Sequence, residues 1–377
     1  MNHSAYIKAR MSFASKQMRK NFMANMTVMV VPTTACNLHC SYCYARKSTD
    51  KSVVDMDKLG NTLKSLSVAN LIVYGGEPLL VKGLPKVLRS ACPTATMTFV
   101  SGLGLDLPTL LDRVGDVARH KGNFTFSIDP PADKGKEYHR GLEYETAVKY
   151  VHTIVKEFPR LNFGIRATIT DECWDYARIR DDINPLFLST ELCHSGVHLD
   201  TLGKLKNVLE DDVQKIVAGK LNPMTTDLRN IIAALANPRS VYFGCCGDFY
   251  NRLSFGPDMK ISVCNEIHTM PKECGSFLRF TNCSEFASKI LAMLAGNLVC
   301  QKCAVYPFCG GGCPLNPRGK CGYENAKIQA ALKVLMRSGN AIPNRAYDCS
   351  ETPISEQEIV QAIQARPELK SLFCCNS

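Results

Sequence analysis

Residues 27–203 predict an α/β fold, a partial (β/α)6 TIM-type barrel, and the remainder predicts a small, loop-rich, cysteine-rich domain after it. Three observations carry this expectation. Short runs rich in β-branched residues alternate with segments whose apolar residues recur at helical spacing, the pattern of parallel βαβ units. The alternation stops after about residue 235. Beyond it, ten of the nineteen cysteines crowd into residues 245–321 among glycines and prolines, which suits a domain held by metal rather than by a large apolar core. The expected boundaries are 1–27 for an N-terminal helical extension, 28–235 for the barrel and 236–377 for the cysteine-rich domain.

The elements follow in order. Residues 1–26 mix Met and Phe with Lys8, Arg10, Lys16, Arg19 and Lys20, an amphipathic helix expected to pack on the barrel or to meet a peptide substrate. TVMVVPTTAC from 27 is strand-like, and MDKLGNTLKSLS from 56 is helix-like. NLIVYGGEP from 70 is a strand running into a Gly-rich turn, and LPKVLRSAC from 84 is helical. TMTFVSGLG from 96, NFTFSIDPP from 123 and LNFGIRATIT from 161 are the next strands. LPTLLDRVGDVARH from 107 and LEYETAVKYVHTIVKEF from 142 are the helices between them. GVHLDTLG, near 196–203, is the expected sixth strand, and 221–240 the connecting helix and linker. In such a barrel, functional groups belong at the C-terminal ends of the strands.

Hydrophobic residues make up 45 % and charged residues 21 % of the 377, ordinary globular composition. No window offers about 18 consecutive apolar residues, so no membrane span is expected. The N-terminus lacks the apolar core of a secretory signal, which points to the cytoplasm. In a reducing compartment, nineteen cysteines read as metal or cluster ligands rather than disulfides. The formal charge of +10 fits either a solvated basic surface or nucleic-acid affinity.

The decisive segment is Cys36-Asn-Leu-His-Cys40-Ser-Tyr-Cys43, directly after the first strand. Three thiolates this close can take three corners of one cubane cluster and leave the fourth iron without a protein ligand. A zinc site is the alternative, but structural zinc prefers four ligands and His39 lies inside the same short loop. The loop looks like the CX3CX2C signature of radical S-adenosylmethionine (SAM) enzymes, with Tyr42 as the aromatic before the last cysteine. Tyr74-Gly75-Gly76-Glu77-Pro78 resembles that family's GGEP motif, whose exposed backbone and Glu77 would hold the SAM ammonium. Ser101-Gly102 resembles the ribose-side turn. Ser127-Ile128-Asp129, with His139-Arg140 downstream, resembles the SxDG…HxxxR stretch of peptide-modifying members, with Pro130 in place of the Gly. Arg166 matches an arginine that pairs with the SAM carboxylate, a task suited to a guanidinium fork.

Cys300, Cys303, Cys309 and Cys313 have the spacing CX2CX5CX3C and resemble the core of the SPASM domain, which carries auxiliary iron–sulfur clusters. The resemblance implies Cys246 and Cys264 upstream and Cys349 downstream, with Cys321 competing for that last place. Ser254 to Cys264 is similar to the family's "NPDGxxxxC" turn, with Met259 where Gly is usual, so a different turn is expected there. Seven ligands serve two 4Fe–4S clusters, and an eighth would come from Cys245, Cys274, Cys283 or Cys321 unless one iron stays open to substrate. A zinc ribbon is the alternative for this region. Cys92, Cys173 and Cys193 read as structural thiols. Three clusters would remove about five charge units and leave a modest positive balance.

The resemblance implies cleavage of SAM to a 5′-deoxyadenosyl radical and hydrogen abstraction, an oxidoreductase activity on a peptide or protein, with maturation of a peptide natural product favoured over other targets. It also implies a one-electron donor such as flavodoxin or ferredoxin. About 28 residues precede the first strand, too few for a leader-recognition domain, so a separate leader-binding protein is a candidate partner. Sulfatase-maturing members place an Asp after the cysteine matching Cys264, where this chain has Asn265 and Glu266. Formylglycine formation would then need Glu266 or Asp258 as acid/base. Competing readings are a small-molecule radical SAM dehydrogenase, a non-catalytic iron–sulfur carrier and a zinc-stabilised nucleic-acid-binding protein. Nucleic acid is not an expected partner.

Overall fold

A computed structural model describes residues 3–21, 26–43, 51–133, 138, 140–183, 190–194, 199–218, 231–232, 235, 252–264, 280, 282–295, 303, 306, 321–339, 350 and 352–366. Its centre is one twisted sheet. Strands β1 (Met26–Val30), β2 (Val68–Val73), β3 (Thr96–Ser101), β4 (Asn123–Ser127), β5 (Phe163–Ile169) and β6 (Thr190–His194) lie side by side in chain order. Every neighbouring pair among them is parallel. Helices α2 (Met56–Lys64), α3 (Leu84–Ala91), α4 (Leu107–Arg119), α5 (Tyr144–Glu157) and α6 (Ala177–Ile183) return the chain between strands, and α7 (Leu199–Val217) follows the sixth. This is the expected partial barrel, and its alternating rhythm is the physical signature of parallel strands covered by helices.

Local chemistry starts and stops these helices. Asp55 caps α2 by accepting from the Lys58 amide at 3.0 Å. Asp106 caps α4 by accepting from the Thr109 amide at 2.9 Å, with a proline in the first turn. At the other end of α4, the Gly122 amide donates to the Val117 carbonyl at 2.9 Å and Lys121 takes a left-handed φ of 54°. This is a Schellman stop with a lysine in the place that suits glycine. Phe99, Phe124, Phe126, Ile165 and Leu71 from the strands, with Leu84, Leu88, Val114, Val151 and Ile154 from the helices, fill the core.

The structure departs from the expected elements in four places. The sixth strand is Thr190–His194, and the segment near 196–203 instead begins α7 at Leu199. The apolar residues at 199, 202 and 205 recur at helical spacing, so Gly203 sits inside a helix and not in a turn. Second, β7 (Arg252–Phe255), from the segment assigned to the cysteine-rich domain, pairs parallel with β1 and extends the barrel sheet to eight strands with β8 (Ile261–Ser262) antiparallel to it. Third, the β7–β8 turn keeps the backbone a glycine would give it, because Met259 itself adopts φ 60°. Fourth, α1 (His3–Asn21) makes its main element contact with α8 (Cys283–Ala295), outside the barrel.

That last contact is specific. Arg10 is 2 % exposed and donates to the Leu294 carbonyl at 3.3 Å and the Tyr6 hydroxyl at 3.3 Å. Its guanidinium also lies 5.7 Å and 5.6 Å from the Tyr6 and Tyr306 ring centres. Tyr306 falls between Cys303 and Cys309, so α1 holds the cysteine-bearing segment directly. Arg19 pairs with Glu358 at 3.0 Å on α10 (Glu356–Gln364). Helix α9 (Cys321–Arg337) packs along α7, where Lys333 meets Glu210 at 2.5 Å. Most of the expected 221–240 linker lies outside the described residues, though Ile231 and Leu235 are helical and buried. Among the described residues, no helix is long and apolar enough to cross a membrane.

Candidate active site

The loop after β1 carries Cys36, Cys40 and Cys43 to the C-terminal edge of the sheet, the functional end of such barrels. None of the three forms a disulfide; Cys40 is buried and the other two are half-buried. The loop is seated at both ends. At its start, the Gly76 amide donates to the Thr33 carbonyl at 2.9 Å and the Glu77 amide to the Ala35 carbonyl at 2.7 Å. Glycine is demanded at 76 because a Cβ there would sit 2.0 Å from the Ala35 oxygen. In its middle, Leu38 is keyed against the turn after β3. A Cβ on Gly102 would lie 2.7 Å, and one on Gly104 2.8 Å, from Leu38 side-chain carbons.

The far part of the loop is tied to β4 and β5. The Tyr42 hydroxyl makes a very short hydrogen bond to Asp129 Oδ2. Asp129 Oδ1 accepts from Arg140 Nη1 at 2.9 Å and from the Thr168 amide at 2.9 Å. Arg140 also donates to Ser127 Oγ at 3.2 Å, and its carbonyl accepts from the His39 amide at 3.3 Å. Burial pulls the Arg140 guanidinium down, but the adjoining Asp129 carboxylate outweighs it and holds the pKa well above the ordinary value. Burial, with Asp129 beside it, pushes the Tyr42 phenol up, so it remains a donor.

The expected SAM-side residues gather in pairs. Glu77 is fully buried; Oε1 accepts from the Leu79 amide at 3.1 Å, and Oε2 from Ser101 Oγ at 2.9 Å and the Gly102 amide at 3.2 Å. Burial raises its pKa to about 7 against these donors. Arg166 donates to the Tyr74 hydroxyl at 2.5 Å, with its guanidinium 4.9 Å from the ring centre. Ser127 and Arg166 are register partners across β4 and β5. The Gly76 and Glu77 amides point at the cysteine loop. In a trans peptide, N–H and C=O point in opposite directions, which turns the Gly75 and Gly76 carbonyl oxygens away from that loop.

Does this loop fit an iron–sulfur cluster? Among the described residues, no three His, Cys, Asp or Glu side chains converge tightly enough for a single metal ion. Burial pushes the Cys36 thiol up to about 11, with Cys40 and Cys43 adding to it, and burial also raises Cys40. Held as thiols in the cluster-free chain, Cys36 and Cys40 would ionise only against a compensating cation, which an iron core would supply.

The other expected residues are only partly in view. Asp258, on the β7–β8 turn, is exposed, accepts from the Lys260 amide at 3.1 Å and pairs with Lys260 Nζ at 3.0 Å. Cys264, two residues past the end of β8, is half-buried, and so is Cys303. Glu266, Cys246, Cys300, Cys309, Cys313 and Cys349 lie outside the described residues. Cys283 is buried in the apolar core. A cavity of about 520 Å3 lined by Lys121, Glu157, Phe158 and Arg160 lies at the N-terminal ends of β4 and β5, the end opposite the cysteine loop. Three site residues carry more than their motif alone assigned: Asp129 and Arg140, visible in the SID…HR stretch, and Tyr74. Leu38 had no signal in the sequence, because its role is shape against glycines distant in the chain.

Comparisons with known proteins bear on the sequence of the barrel and on its fold. Residues 30–176 match the Radical SAM superfamily model. A "Probable GTP 3′,8-cyclase" of Pyrococcus abyssi is 23 % identical over 198 residues, 49 % of this chain and 64 % of that protein. A GTP 3′,8-cyclase of Chlorobaculum tepidum is 35 % identical over 71 residues, 18 % of this chain and 22 % of that one. The chain thus spans less than two thirds of either curated relative. The fold is similar to anSMEcpe with bound AdoMet and a Cp18Cys peptide, at TM-score 0.60, 15 % identity and 83 % and 97 % coverage of the two chains. It is also similar to Streptococcus suis SuiB bound to its precursor peptide SuiA, at TM-score 0.55, 15 % identity and 80 % and 75 % coverage. Residues 30–176 thus resemble the Radical SAM superfamily in sequence, and the chain shares its fold with structures solved with AdoMet bound.

Proposed function

We propose that the chain is a radical SAM enzyme that abstracts hydrogen from a peptide or protein and leaves an oxidative modification or crosslink, in the maturation of a peptide natural product. The observation that supports it most is the single loop that brings Cys36, Cys40 and Cys43 to the barrel mouth beside the Gly75–Glu77 turn. When bound, the reduced cluster and SAM together supply a 5′-deoxyadenosyl radical. The chain's own residues bind and orient. Cys36, Cys40 and Cys43 would hold three irons. The Gly75 and Gly76 carbonyls, turned away from the loop, would accept from the SAM ammonium, with Glu77 behind them. Arg166, held by Tyr74, would swing its fork onto the SAM carboxylate. Ser101 and Ser127 would line the ribose side, and Tyr42 would bound the adenine side of the loop.

Cys246, Cys264, Cys300, Cys303, Cys309, Cys313 and Cys349 are proposed to hold two auxiliary 4Fe–4S clusters, with Asp258 and Glu266 as acid/base candidates. A flavodoxin- or ferredoxin-like donor would deliver the electron. The peptide substrate is supported by the two structural neighbours, both of which were solved with peptides bound. A nucleotide substrate is the second reading, favoured by the curated relatives' names.

The test is anaerobic reconstitution followed by iron and sulfide counting, then assay with SAM and dithionite. Production of 5′-deoxyadenosine, abolished by Cys36→Ala, Cys40→Ala and Cys43→Ala, supports the reading. Absence of 5′-deoxyadenosine from iron-replete protein overturns it. Loss of hydrogen from a peptide by mass spectrometry supports the peptide substrate; consumption of GTP instead supports the second reading.

A further inference from the structure

We propose that Asp129 is a positioning residue for the cysteine loop: through Tyr42 and Arg140 it fixes the far part of that loop on β4 and β5 before any iron arrives. The proposal rests on the radical SAM reading only for what the thiols bind; the tether is a property of the cluster-free chain. The start of the loop is anchored through Gly76 and Glu77. The described backbone bonds of residues 39–43 are His39 N–H to the Arg140 carbonyl at 3.3 Å and Cys43 N–H to the Cys40 carbonyl at 3.1 Å. The Tyr42 hydroxyl adds the side-chain anchor, and it ends on Asp129.

Asp129 suits this task in three ways. It is 1 % exposed, so water does not compete for its oxygens. The Thr168 amide, at 2.9 Å, fixes the carboxylate to strand β5. Arg140 Nη1, at 2.9 Å, then joins the carboxylate to the residue whose carbonyl holds His39. One carboxylate thus ties the loop twice, by side chain through Tyr42 and by backbone through Arg140. Pro130 and Pro131 follow immediately and restrict the backbone at Asp129 to extended conformations. The proline that departs from the family's Gly therefore stiffens the tether's base.

A loop ordered in advance leaves less conformational entropy to be lost when the thiols close on a cluster. The test is hydrogen exchange by mass spectrometry on cluster-free wild type, Asp129→Asn, Tyr42→Phe and Asp129→Glu. The expected result is about tenfold faster exchange across 36–43 in Asp129→Asn and several-fold in Tyr42→Phe, with β2 and β3 unchanged. Asp129→Glu, keeping the charge, recovers part of the protection. After reconstitution, Asp129→Asn loses iron from the first site, and the SAM-induced change in its EPR spectrum broadens. Loop exchange equal to wild type in both Asp129→Asn and Tyr42→Phe overturns the proposal. So does acceleration spread evenly over all segments, which means ordinary destabilisation. Tyr42→Phe, a milder change, decides the matter if Asp129→Asn fails to fold. Loop exchange as expected in a wild type that binds no SAM upholds the tether while removing the enzymatic reading.

Discussion

Replacing Gly76 with alanine drives the new methyl into the base of the cysteine loop. Its Cβ would lie 2.0 Å from the Ala35 oxygen, 2.6 Å from the Ala35 carbonyl carbon and 2.6 Å from the Thr34 oxygen. All three are backbone atoms, so no side-chain rotation relieves the clash. The loop must lift by roughly 1 Å to reach van der Waals contact. That breaks the Gly76–Thr33 and Glu77–Ala35 hydrogen bonds, at 2.9 and 2.7 Å, each contributing about 1 kcal/mol. Overpacking strain adds about 2 kcal/mol, for a total near 4 kcal/mol. With a urea slope of about 3 kcal/mol/M, the midpoint falls by roughly 1 M. Gly83→Ala is the control: φ is 74° but nothing lies within 4 Å of its Cβ, so it costs only the left-handed strain of about 1 kcal/mol. Urea unfolding followed by circular dichroism measures both, and iron content after reconstitution reports the loop. Gly76→Ala should lose iron at the first site and Gly83→Ala should keep it. A Gly76→Ala protein with wild-type midpoint and full iron would refute the view that this turn seats the loop.

Three further outcomes follow from the same geometry. Glu77 is held protonated to about pH 7 in the fold, against an ordinary value of 4.5, chiefly by burial. The unfolded chain therefore releases that proton first, and cluster-free stability falls as pH rises from 4.5 through 7, by up to about 3 kcal/mol. Glu77→Gln should flatten that slope in urea melts taken across this range, and an unchanged slope assigns it to another group. Lys121→Gly should raise stability by about 1 kcal/mol, because its left-handed φ of 54° at the end of α4 suits glycine; a lower melting temperature would argue against this. Arg10→Ala should cost about 3 kcal/mol by removing its bonds to Leu294 and Tyr6 and its contacts with two tyrosine rings. Faster proteolysis of the cysteine-bearing segment near Tyr306, with the barrel spared, checks that α1 secures that region.

What the sequence determined was set by local pattern. The βα alternation, the three-cysteine loop after β1 and the Gly-Gly-Glu-Pro turn after β2 are each short-range features, and the fold keeps them where the spacing put them. Local signals failed where a segment's partner is distant. The sixth strand, Thr190–His194, carries no clear alternation and is placed by its pairing with β5, while the leucines at 199, 202 and 205 have a helical spacing in the segment expected to be a strand. Strand β7 could not be assigned to the barrel from sequence, since its partner β1 lies more than two hundred residues earlier. The helix at the N-terminus looked like a covering for the barrel, yet Arg10 needed the Leu294 carbonyl and the Tyr6 and Tyr306 rings to be buried at all. At the site, sequence named Tyr42, Glu77, Ser127 and Arg166, but each one's partner was decided in three dimensions. Hydrogen bonds and close contacts between residues far apart in the chain, such as Tyr42 with Asp129 and Leu38 with Gly102, depend on distances that only the folded sheet brings within a few ångströms.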